Sequence, residues 1–127
     1  MSVRILIVDD SKLARMAVAK TLGAVQPGWT RVEAANAEEA MAKIREGAVD
    51  LAVLDFNMPG RDGLELAAEL KTLKPAMPLA VISANHQVEV VTRAKAVGAT
   101  FLSKPLTEQA LRDFLDGAIE SIKAHGA

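Results

Sequence analysis

A doubly wound α/β sandwich is the fold class that the 127-residue sequence predicts, with five parallel strands and helices on both faces in the order (βα)5. Three observations carry it. Short runs of Ile, Leu, Val and Ala recur five times, each followed by apolar residues at helical spacing. The stronger runs are continuous rather than alternating, so those strands are buried on both faces. Strands separated by helices join through right-handed crossovers into a parallel sheet. With 50% hydrophobic and 24% charged residues, the chain suits one core and one domain, residues 1–127.

The elements follow in order. Val3 to Val8 is the first strand, by its Ile and Val content. Ser11 to about Val25 is a helix with Ala14, Val18, Leu22 and Val25 on one face, broken by Pro27-Gly28. Trp29 to Ala34 is a weaker strand, and Trp29 anchors its edge. Asn36 to Glu46 is a helix with a capping pair, Asn36 and Glu39, an inward face of Ala37, Ala40, Met41 and Ile44, and a stop at Gly47. Leu51 to Leu54 is the third strand. Asp62 and Glu65 cap the next helix, which buries Leu66, Ala67, Leu70 and Leu73 and ends before Pro75. Leu79 to Ile82 is the fourth strand, and Gln87 to Val97 a helix closed by Gly98. Thr100 to Leu102 is a short fifth strand. Thr107 caps a last helix that buries Leu111, Leu115, Ala118 and Ile122 and ends near Lys123.

Composition excludes whole classes of function. Fifteen Lys and Arg against sixteen Asp and Glu leave a net charge of −1, without the basic excess of a nucleic-acid binder. Aromatics at 3% are too few for base-stacking platforms. No apolar run approaches the length of a membrane span. The N-terminus meets Asp9-Asp10 after a short apolar stretch, unlike a signal peptide. Without cysteine there are no disulfides, thiolate metal sites or cysteine nucleophiles. A cytoplasmic protein is expected.

In such a fold, ligands bind at the carboxyl ends of the strands. Here the first strand ends in Asp9-Asp10, the third in Asp55, the fourth in Ser83 and the fifth in Lys104-Pro105; the second, ending in Ala34-Ala35, adds nothing polar. Like charges about 4 Å apart cost ~4 kcal/mol at an effective dielectric of ~20. A fold keeps such a cluster if a cation neutralises it or if it does chemical work. Hard oxygen donors without His or Cys favour Mg²⁺, with Mn²⁺ as a substitute. An Asp oxygen can also act as nucleophile toward phosphorus, giving an aspartyl phosphate.

Ile7-Val8-Asp9-Asp10-Ser11, Leu54-Asp55-Phe56-Asn57-Met58-Pro59-Gly60-Arg61-Asp62-Gly63, Ile82-Ser83-Ala84 and Lys104-Pro105 together resemble the receiver domain of two-component response regulators, in particular the stand-alone chemotaxis-type receiver. The resemblance spans the whole chain, with 28 residues from Asp55 to Ser83 and 21 from Ser83 to Lys104. It implies a flavodoxin-like sheet of order 2-1-3-4-5, which the residues alone do not give. It implies that Asp55 is the phosphoacceptor, and that Asp10, Asp55 and the Asn57 main-chain carbonyl bind Mg²⁺ with Asp9 acting through water. Lys104 would pair with Asp55 and then with the phosphoryl oxygens, Ser83 would hydrogen-bond the phosphoryl group, and Lys104-Pro105 would be cis. Phe101 stands at the family's aromatic switch position. Phosphorylation adds roughly −1.5 to −2 units of charge and would reshape the face of the fourth helix, fifth strand and fifth helix. The expected partners are a sensor histidine kinase or phosphotransfer protein and a downstream protein target, with no nucleic acid and no membrane. The chain would be a monomer or a weak phosphorylation-dependent dimer, and no metabolic enzyme.

Each residue also has a plainer reading. Asp9-Asp10 could cap the first helix, Asp55 could end a strand in a turn, Ser83 could cap a helix, and Lys104 could be a solvated lysine. Phe101 is as readily a core aromatic as a moving one. His86 is read as a loop residue, and Met58 and Met77 as packing or loop residues. Ala84, Asn85 and Asn57 are expected at the pocket entrance. The fourth helix, with Val88, Val90, Val91, Thr92 and Val97, has low intrinsic propensity and depends on tertiary contacts.

Other functions fit less well. An aspartate-based phosphatase would carry Asp-x-Asp after the first strand. A nucleotide or flavin module would have a glycine-rich turn where this chain has Asp-Asp-Ser-Lys-Leu-Ala. A phosphorylation-independent interaction module and a phosphate sink are the remaining alternatives.

Overall fold

The computed structural model describes residues 3–47, 49–58, 60, 62–84 and 87–126. Ten elements alternate: β1 (Arg4–Val8), α1 (Lys12–Val25), β2 (Thr30–Ala34), α2 (Ala37–Arg45), β3 (Leu51–Asp55), α3 (Gly63–Leu73), β4 (Leu79–Ser83), α4 (Val88–Ala96), β5 (Thr100–Ser103) and α5 (Glu108–Gly126). All strand pairs are parallel, in the order β2-β1-β3-β4-β5. The predicted flavodoxin-like (βα)5 sandwich is thus the observed one.

Alternation along each central strand divides the core in two. Leu6, Val8, Ala52, Leu54, Leu79 and Val81 point to one face, where α2, α3 and α4 contribute Ile44, Leu66 and Ala94. Ile5, Ile7, Val53, Ala80 and Ile82 point to the other, under Leu22 of α1 and Leu111 and Leu115 of α5. Each fully buried Leu or Ile contributes about 1.5–3 kcal/mol relative to exposure. β1, β3 and β4 are buried almost throughout, whereas the edge strands β2 and β5 are partly exposed.

The expected caps form. The Asn36 side chain accepts from the Glu39 N–H, and Asp62 and Glu65 complete a reciprocal capping box. The differences are local. β3 and β4 each run one residue further than their apolar runs, taking Asp55 and Ser83 into the ladder. A strand ends where its hydrogen bonds end, not where its hydrophobicity does. Leu73 is not buried: it is 49% exposed in the last turn of α3, at the rim of a groove shared with Val49 and Pro75. α5 continues to Gly126. Trp29 packs, half-buried, beside β2, and Met58 and Met77 pack against the core.

Candidate functional site

The winding reverses between β1 and β3, so neighbouring strands carry their chains away from a shared crevice at their carboxyl ends. Asp9 follows β1 and is buried. Its N–H donates to the Ala34 carbonyl (3.1 Å), and its carboxylate accepts from the Ser11 N–H (2.9 Å). Ser11 in turn caps α1, its hydroxyl accepting from the Ala14 N–H (3.2 Å). The cap reading therefore belongs to Ser11. Asp10, one residue on, is exposed. Asp55 closes β3 and is 5% exposed. One carboxylate oxygen from each of Asp9, Asp10 and Asp55 lies within 4.8 Å of the others.

Lys104 comes to this cluster from the end of β5, its N–H donating to the Ser83 carbonyl (3.1 Å) and its Nζ lying 2.8 Å from Asp55 Oδ1. Among the described residues, three carboxylates face one ammonium. Asp55 Oδ1 is buried and makes no well-directed hydrogen bond among the described residues. The donor set is hard oxygen throughout and carries excess negative charge, which suits Mg²⁺. A cavity of about 470 Å³ adjoins the cluster, walled by the small side chains Ala14 and Ala17 of α1 and by Pro105 and Leu106. The Lys104–Pro105 peptide is cis.

Ser83 is fully buried at the end of β4, one residue past Ile82, the register partner of Asp55. Phe101 pairs in register with Val81 and packs, half-buried, against the core beneath α2, α3 and α4. Asn57 and Ala84 are exposed on the loops after β3 and β4. Asn85, His86, Pro59 and Arg61 lie outside the described residues. α4 has no side-chain cap at Gln87 and buries only Val90 and Ala94, while Val88 is 80% exposed. An ion pair, Arg93 to Asp62 at 3.5 Å, joins α4 to the start of α3.

Gly63 is a residue whose role the sequence reading passed over. Its N–H donates to the Phe56 carbonyl (2.9 Å), and a Cβ there would stand 2.3 Å from the Asp55 carbonyl oxygen. α3 starts so close to the strand carrying Asp55 that no side chain fits between them. The Asp-Gly pair at a helix start was the available signal.

Burial, and to a lesser extent the neighbouring Asp55 and Asp10 charges, push the Asp9 carboxyl above its ordinary value, against the Ser11 N–H and Lys104. A carboxyl raised in the folded state contributes stability in full below its unfolded value of 3.8 and loses it as pH rises through the folded one. In chelator, Asp9→Asn keeps an acceptor for Ser11 and removes the buried charge. The expected result is a higher melting temperature at pH 7. The advantage should vanish below about pH 4, where the parent carboxyl is protonated too; a variant that melts lower at pH 7 would contradict this account.

Residues 5–116 match the family of the response regulator receiver domain. The chain is 32% identical over 126 residues to the transcriptional regulatory protein ZraR of Salmonella typhimurium, covering 97% of this chain and 28% of that protein. It therefore spans about a quarter of that relative's length. Among solved structures, the chemotaxis protein CheY4 of Vibrio cholerae is similar with 30% identity and a TM-score of 0.82, over 93% of this chain and 99% of that one. A CheY-like receiver domain protein of Methanospirillum hungatei is similar with 27% identity and a TM-score of 0.86, over 98% and 99%.

Proposed function

Since the chain belongs to the response regulator receiver domain family, a family of phosphorylation-activated signalling modules rather than metabolic enzymes, we propose that it accepts a phosphoryl group on Asp55. The observation that carries this reading is the buried Asp55 carboxylate, 2.8 Å from the Lys104 ammonium, with two further carboxylates beside it. The donor is a phosphohistidine of a sensor kinase or phosphotransfer protein in the cytoplasm. An Asp55 oxygen attacks phosphorus, the P–N bond breaks, and the departing imidazole keeps the electron pair and is protonated from solvent.

The carboxylates of Asp10 and Asp55 and the Asn57 main-chain carbonyl would hold Mg²⁺ or Mn²⁺, with Asp9 acting through water. When bound, the ion neutralises charge on the transferring group. Lys104 orients the Asp55 carboxylate, then meets the phosphoryl oxygens. Ser83, behind Asp55 on the next strand, supplies a hydroxyl donor. The added charge draws Ser83 and Lys104 toward the phosphoryl group, Phe101 follows, and the face of α4, β5 and α5 shifts in population toward the form that a target protein binds. The weak tethering of α4 supports this choice of moving element.

Incubation with acetyl phosphate and Mg²⁺, read by intact mass, tests the reading. One phosphoryl adduct, lost in chelator, is the expected result. No adduct, together with no response to beryllofluoride, would overturn it in favour of the phosphorylation-independent module. Lys104→Ala is expected to bind Mg²⁺ within a few-fold of the parent while losing the phosphorylation-dependent amide shifts in β5 and α4. Unaltered shifts would remove Lys104 from the coupling.

A further inference from the structure

Arg15 lies five residues after Asp10, in the first half of α1, where side chains lean back toward the helix N-terminus. Its guanidinium reaches the β1–α1 loop. Nη1 donates to the Asp9 main-chain carbonyl, and Nε donates to Glu33 Oε1 on β2 at 2.9 Å. Only 14% of the Arg15 side chain is exposed, against 49% for Glu33. The Asp9 N–H is already held by the Ala34 carbonyl across the β1–β2 ladder. Its carbonyl, past the end of β1, is held by Arg15 instead.

That carbonyl shares a rigid plane with the Asp10 N–H. Fixing it sets the direction in which Asp10 leaves the strand, and hence where its carboxylate lies relative to Asp9 and Asp55. The effect is geometric: the guanidinium charge is directed at Glu33, and Nη1 holds a main-chain carbonyl rather than a carboxylate of the cluster. A planar fork can donate in two directions at once, which a lysine ammonium on a flexible stem does poorly.

We infer that Arg15 is a positioning residue of the acidic site, a brace from Glu33 to the Asp9–Asp10 peptide that presets Asp10 for metal binding. The metal-binding part of this inference rests on the reading of the site given above. Residues that orient metal ligands typically carry about 10–100-fold in affinity.

The test compares the full chain with Arg15→Ala, Arg15→Lys and Glu33→Gln. With Mg²⁺ as the probe in calorimetric titration, both Arg15 variants should bind about tenfold more weakly. Glu33→Gln, which keeps an acceptor for Nε, should stay within about threefold. An electrostatic role predicts the reverse pattern, with Lys restoring affinity and Gln losing it, and that result would overturn the inference. In chelator, Arg15→Ala should shift the Asp10 amide resonance and speed its hydrogen exchange while leaving the Leu54 and Asp55 amides in place. An unchanged Asp10 amide would overturn the brace itself. If the parent chain binds no Mg²⁺ but its Asp10 amide still depends on Arg15, the metal reading has failed and the brace stands.

Discussion

Asp55→Asn is expected to abolish acceptance of a phosphoryl group while leaving the fold intact. The amide is nearly isosteric, so packing at the end of β3 is kept, and the ladder bonds that place residue 55 are main-chain and untouched. What is lost is chemical. An amide oxygen is a poor nucleophile and forms no acyl phosphate with the required ease of exchange. The amide also withdraws one of three negative charges from the cluster and leaves Lys104 without its 2.8 Å partner. Labelling by acetyl phosphate should fall by at least about 100-fold, and Mg²⁺ binding should weaken in the same variant. Thermal stability in chelator should change little, because relief of repulsion among Asp9, Asp10 and position 55 offsets the lost ion pair. Stoichiometric labelling of the Asn variant, mapped to another residue, would remove Asp55 from the central role. Equal labelling of parent and variant at low stoichiometry would point to adventitious surface acylation.

The residues behind this expectation were legible because the fold works through main-chain ends. Continuous apolar runs located β1, β3 and β4, and the polar residue that terminates each run fell at the same edge of the sheet. Ser83 and Lys104 became neighbours of Asp55 only once strand order was known, and no local pattern encodes which strand lies beside which. That step came from likeness to a family. Helical periodicity found the buried stripe of α3 but overran it at Leu73, since period reports which side of a helix a residue occupies and not where its packing partners stop. Phe101 was legible as an apolar residue of β5, and it packs half-buried against the core. Gly63 and Arg15 were missed for opposite reasons. One acts through the absence of a side chain beside a distant carbonyl. The other acts through a main-chain acceptor six residues earlier, before α1 begins. Neither leaves a periodic trace.

The second large effect is expected at Gly63. A Cβ at this position would stand 2.3 Å from the Asp55 carbonyl oxygen and 2.9 Å from its carbonyl carbon. Both are main-chain atoms of a fully buried strand, so no flexible side chain can yield. The glycine's φ is not in the left-handed region, and close approach alone demands it. Gly63→Ala must therefore lift the first turn of α3 from β3, stretching the 2.9 Å bond from the Gly63 N–H to the Phe56 carbonyl. Overpacking of this kind costs about 1–3 kcal/mol and more where the backbone cannot relax, so the melting temperature should fall by roughly 5–10 °C. The displaced turn pulls on the loop through Phe56 and Asn57, so Mg²⁺ affinity should fall as well, although residue 63 carries no ligand. Gly117→Ala is the control. It lies within α5, where an added methyl group would meet nothing within 4 Å, and should be neutral or stabilise by up to about 1 kcal/mol. If Gly63→Ala melts within about a degree of the parent, α3 does not press on the Asp55 carbonyl. If it melts low but binds Mg²⁺ normally, the contact supports the fold alone, and the geometry of the site is held from the β1 side, by Asp9 and Arg15.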